Sequence, residues 1–119
     1  MKNLLLVFGL TITSLSNSQV KEMEGSWVSE TSSYVMTIIT NGSRPVKVFN
    51  TSFSENRVIE EYIVSSDSKS FTTKLHNPEN DYYVDIKYVL KDSNTILCYY
   101  TGDLNKMITV KKLSHFYIE

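Results

Sequence analysis

The chain is predicted to be all-β, an eight-stranded antiparallel up-and-down meander closing into a small barrel, and three observations predict it. Short runs rich in β-branched and aromatic residues recur along the sequence. Each run ends at Gly, Asn, Asp or Ser, with nearly even spacing between them. No segment carries the 3.6-residue apolar period of a long helix.

The first eighteen residues are read as a secretory leader and set aside from the fold. Lys2 supplies a positive start, and Leu4 to Leu10, extended by Thr11 and Ile12, forms an apolar stretch. Ser16 and Ser18 then place small residues at −3 and −1, with cleavage expected before Gln19. The apolar stretch is shorter than the roughly 20 residues that cross a bilayer, so no stable membrane insertion is expected after cleavage. No cysteine lies near the exit for acylation. The expectation is a signal peptide over residues 1–18 and a single soluble, exported domain over residues 19–119, periplasmic or extracellular.

The strands follow in order. Val20 to Met23 is expected to make one helical turn capping the barrel. Gly25 to Glu30 and Tyr34 to Thr40 are the first two strands, and Asn41-Gly42-Ser43 signals a hairpin of type I′. Pro45 marks an edge position before the third strand, Val46 to Phe53. Arg57 to Val64 and Ser70 to His76 follow, separated by Ser65-Ser66-Asp67-Ser68. Asn77-Pro78 ends the fifth, and Tyr82 to Leu90 is the sixth. Asp92-Ser93-Asn94 turns the chain into Thr95 to Thr101, and Gly102-Asp103 into Leu104 to Leu113.

The sixth strand has the clearest faces. Tyr82, Val84, Ile86, Tyr88 and Leu90 alternate with Tyr83, Asp85, Lys87, Val89 and Lys91, so one face is dry and the other wet. Phe71, Thr73 and Leu75 form a shorter dry row. The fourth strand is ambiguous, because Ile59 and Ile63 compete with Val58, Tyr62 and Val64. An eight-stranded barrel is just wide enough to be filled by side chains or to hold one small ligand. Tyrosines among the inward residues fit a partly polar cavity, since a buried hydroxyl needs a partner.

Composition excludes several classes. Without Lys2 the chain holds eleven basic residues against thirteen acidic ones, scattered without a run. That leaves no basic patch for nucleic acid. The one cysteine, Cys98, sits between Leu97 and Tyr99 with no basic neighbour, so it reads as a small buried hydrophobe and not as a nucleophile. His76 and His115 stand far apart, and no metal site is expected. Glu60 and Glu61 are adjacent, face opposite ways, and do not form an acid–base pair by themselves. Both are expected to flank an edge or to be solvated, although one turned inward would meet a polar ligand. No nucleophile elbow or phosphate loop is present. No enzyme activity and no cofactor are expected.

Gly25-Ser26-Trp27, at the start of the first strand of a meander, resembles the Gly-x-Trp signature of lipocalins and related calycin barrels. Asn80-Asp81-Tyr82 is loosely similar to the Thr-Asp-Tyr element of that superfamily. The resemblance implies structural roles for Gly25 and Trp27, a barrel closed across the tryptophan, and an open end that takes a small, usually apolar ligand. The chain departs from the family in its short length, in lacking a C-terminal helix, and in having Lys111 or Lys112 where an arginine would stack on the tryptophan. The closest description is a small bacterial lipocalin-like protein, with an avidin-like barrel as its sibling. The expected function is an exported barrel binding a small apolar or amphipathic molecule. Tyr62, Phe71, Tyr82, Ile86 and Tyr88 are the candidate ligand-binding residues. The alternative is a non-enzymatic interaction protein, an inhibitor or an envelope-assembly component, with a filled core.

Overall fold

A computed structural model describes residues 19–113 except Glu79. The expected leader and His115 therefore lie outside the described residues. A 3-10 turn, Lys21–Met23, precedes eight strands. These are β1 (Gly25–Val28), β2 (Val35–Asn41), β3 (Arg44–Ser52), β4 (Arg57–Ser66), β5 (Ser70–Asn77), β6 (Tyr82–Asp92), β7 (Thr95–Gly102) and β8 (Lys106–Lys112). Each pairs antiparallel with its sequence neighbour, and β1 meets β8 to close the barrel in meander order. Closure removes the exposed sheet edge that an open eight-stranded meander would carry.

Where strand ends differ from the sequence reading, local side chains explain the shift. β1 stops at Val28 because Ser29 Oγ accepts from the Thr31 backbone N–H and turns the chain. β3 begins before Pro45, which faces Thr40 beside a bulge. There the missing N–H costs no ladder bond. β8 begins only at Lys106, since Asn105 bonds both the N–H and the carbonyl of Gly102 and holds Leu104 in the turn. The β2–β3 loop is Gly42-Ser43, because Asn41 pairs with Arg44. Within this loop Gly42 has a positive φ, +66°, and neither Asn41 nor Ser43 does. That is the pattern of a type II′ turn and corrects the type I′ expectation.

One barrel end is plugged. Val20 and Met23 are fully buried, and the Gln19 and Val20 N–H groups donate to the Ser68 carbonyl in the β4–β5 turn. Trp27 lies fully buried above them and donates its indole N–H to the Met23 carbonyl at 2.9 Å. Lys112 places its ammonium 5.5 Å from the centre of the Trp27 ring, so the cation expected from Lys111 or Lys112 is Lys112. Ile38, Val48, Ile96, Phe71 and Tyr88 complete this packed half. The Phe71 and Tyr88 rings stack with centroids 4.7 Å apart.

The expected alternation of β6 holds. Val84, Ile86 and Tyr88 are buried, Leu90 is packed against the core, and Lys87 and Lys91 are exposed. On β4 the inner row is Ile59, Glu61 and Ile63, leaving Val58, Tyr62 and Val64 exposed on the outer face.

Candidate functional site: the open end and its buried carboxylate

The other barrel end is formed by the β1–β2, β3–β4, β5–β6 and β7–β8 connections. There an open cavity of about 490 Å3 runs down into the barrel. Apolar walls come from Ile59, Leu75, Val84, Leu104 and Ile108. Polar groups come from Tyr34, Asn50, Asn77, Tyr82, Tyr100 and Lys106. Such a mixture suits an amphipathic guest, with apolar walls to dehydrate it and a few polar groups to orient it. A second hollow, along the β1–β8 seam, is lined by Val28 to Thr31 and by β8 residues between Lys106 and Lys111, without contributions from the other strands.

The cavity exists because two features position the walls. Four of the five apolar wall residues lie two positions from a buried residue on the same strand, Ile59 from Glu61, Leu75 from Thr73, Val84 from Ile86 and Ile108 from Val110, while Leu104 comes from the β7–β8 turn. The pleat therefore carries the same inner face from the packed half to the open one. At the rim, Asp81 adopts a positive φ of 59°, and the Asn80 side chain accepts from the Tyr82 N–H. This Asx turn brings Asn80 and Tyr82 over the opening.

Beneath the cavity lies Glu61, only 3% exposed. Three neutral groups from three strands donate to its carboxylate. Asn50 Nδ2 reaches Oε2 at 2.6 Å, Thr73 Oγ1 reaches Oε1 at 2.6 Å, and the Tyr88 hydroxyl reaches Oε1 at 2.5 Å. The Lys74–Asp85 ion pair and the hydrogen bond between His76 Nε2 and Asp81 Oδ1 lie on the outer surface, away from Glu61. Carboxylates are seldom buried unless paired or fully hydrogen-bonded, and here the second solution is used. Burial, and then the Glu61 charge, push the Tyr88 hydroxyl well above its ordinary pKa, so it stays a donor. Burial also raises the Tyr100 hydroxyl, with Cys98 and Glu61 adding to the effect. The Cys98 thiol is pushed up to about 12, by burial first and by Glu61 second. A thiol held that high is protonated at neutral pH, which fits its reading as a small hydrophobe.

The sequence candidates divide three ways. Tyr82 stands at the rim of the cavity. Phe71, Ile86 and Tyr88 are inward but belong to the packed half below it, because the plug and Trp27 already fill that space. Tyr62, a candidate ligand-binding residue on a strand whose faces the sequence left open, points outward, is 74% exposed and does not line the cavity. The parity of β4 puts Glu61, not Tyr62, inside. The expectation that both glutamates are solvated is corrected for Glu61 by the same parity. Sequence reading passed over Asn50, Tyr34 and Tyr100. The signal for Asn50 was its place in the alternating row Val48, Asn50, Ser52.

Among the described residues, no group of three or more His, Cys, Asp or Glu side chains is arranged to hold a metal ion. No described helix is long and apolar enough to cross a membrane. Comparison of the chain with protein-family models, with curated proteins and with solved structures gave no match.

Proposed function

We propose that this protein is an exported, lipocalin-like barrel that binds one small amphipathic molecule at its open end. The observation that carries the reading is the division of the interior: one half is packed solid around Trp27, and the other keeps a cavity of about 490 Å3 with mixed walls. A barrel evolved only as a rigid scaffold gains nothing from an unfilled half, since each void in a core costs stability. The Gly25-x-Trp27 start, the plugged end beneath it and Lys112 over the indole support the calycin comparison. Export rests on the Lys2 start, the Leu4 to Leu10 stretch and the Ser16-x-Ser18 exit. N-terminal sequencing of exported material should begin at Gln19.

Binding is tested by titrating apolar fluorescent probes into the wild type and Val84→Trp, which places a large ring in the cavity. Saturable one-to-one binding that is lost in the variant, with the melting temperature retained, supports the reading. No binding by any probe class overturns it.

The second reading, a non-enzymatic interaction protein, is favoured by one observation. Val58, Tyr62 and Val64 form an exposed apolar row on the outer face of β4. Under that reading Tyr62→Lys and Val64→Lys abolish a protein contact and leave probe binding unchanged.

A further inference from the structure

We infer that the cavity selects a guest carrying a protonated amine, with Asn50 at the cavity floor receiving the ammonium and Glu61 behind it supplying the negative charge. This rests on the ligand-barrel reading and adds the chemical class of the ligand.

The argument starts from the three donors on Glu61. All are neutral, so they satisfy the carboxylate's lone pairs and leave its net charge in place. A charge in a low-dielectric interior reaches further than one in water. Asn50 is the link between the two layers, because it both lines the cavity and donates to Glu61. With an N–H committed to the carboxylate, its amide oxygen is the acceptor it offers a guest. An ammonium group set there gains a direct hydrogen bond and the attraction of the carboxylate beyond it. A guest carboxylate meets repulsion from the same charge.

The cation of the site sits elsewhere. Lys106, the cation among the residues lining the cavity, lies at the rim with its ammonium 5.8 Å from the centre of the Tyr100 ring. The cavity is therefore polarised, negative at the floor and positive at the mouth. An amine-headed guest enters head first, with its apolar body along Leu75, Val84 and Ile108.

The test is isothermal titration of the wild type with octylamine, octanol and octanoate at neutral pH, repeated with Glu61→Gln. The amide keeps the shape of Glu61 and removes its charge. Octylamine should bind the wild type roughly tenfold tighter than octanol, with octanoate weakest, as expected for a charge felt through several ångströms of protein. In Glu61→Gln the amine should lose that advantage while octanol binding is kept. Equal binding of amine and alcohol by the wild type overturns the inference and leaves the ligand barrel standing. So does an amine preference that survives Glu61→Gln. Binding by none of the three compounds or of the fluorescent probes overturns both. Should Glu61→Gln fail to fold, the order of the three compounds on the wild type decides by itself.

Discussion

The Tyr88 hydroxyl donates to Glu61 Oε1 at 2.5 Å, tying β6 to β4 across the barrel interior over 27 residues of sequence. Thr73 on the intervening strand donates to the same oxygen. The three strands are thus joined by a side-chain bond as well as by their ladders, at the level where the packed half meets the cavity.

That bond should be measurable. Tyr88→Phe keeps the ring stacked on Phe71 and removes one donor from a buried carboxylate, which costs about 1.5–3 kcal/mol for a hydrogen bond to a charged group. In a Glu61→Gln background the same change should cost only about 1 kcal/mol, the value for a neutral pair. Urea unfolding of the two single variants and the double variant gives the coupling. Costs that simply add would mean the two groups act independently.

The barrel was legible in the sequence because β6 alternates cleanly and the turn residues punctuate each strand. Tyr82 to Leu90 places its faces without help, since Lys87 and Lys91 cannot share a dry side with Ile86. β4 could not be read that way. Its two rows, Ile59-Glu61-Ile63 and Val58-Glu60-Tyr62-Val64, are nearly equal in apolar content and each carries one glutamate. Only the donors supplied by Asn50, Thr73 and Tyr88, on three other strands, make the Glu61 row the inner one. A bulge between Ile63 and Ser65 further blurs the period at the end of that strand. The site was hidden for the same reason: its central residue is stabilised by contacts distant in sequence.

Trp27→Ala should cost about 3–5 kcal/mol, as for a large aromatic removed from a core. Trp27→Phe, which keeps most of the ring and loses the N–H bond to Met23, should cost less. Lys112→Ala should cost about 0.5–1 kcal/mol through its lost contact with the indole. Chemical denaturation orders the three. A loss below about 1 kcal/mol for Trp27→Ala, the range of surface positions, would contradict a structural role in closing this end.

Gly102→Ala tests the β7 end. Gly102 has a φ of +114°, and an added Cβ would lie 2.9 Å from the Tyr83 carbonyl oxygen, on backbone that cannot swing aside. The strain should lower stability by about 1–3 kcal/mol. Gly42→Ala meets nothing within 4 Å and should suffer only the conformational penalty of its φ of +66°. A thermal melt in which both variants fall equally would show that the close approach to Tyr83 is easily relieved.

Cys98 predicts the alkaline limit of the fold. Its thiol rises from an ordinary 9.0 to about 12 in the native barrel, through burial and the nearby Glu61 charge. Between those values the unfolded chain has given up the proton while the native state still holds it. Protons are then bound more tightly in the folded state, so stability falls as pH rises from about 9 through about 12. Tyr88 and Tyr100 act in the same direction, but only above their ordinary value of 10.0. Cys98→Ala should therefore delay the onset of the decline to near pH 10, leaving the tyrosine part intact. Urea midpoints measured from about pH 8 to about pH 11 on both proteins check this. Wild type and variant losing stability in parallel from pH 9 would mean that the thiol reaches solvent, and a thiol reagent would then modify Cys98 without unfolding.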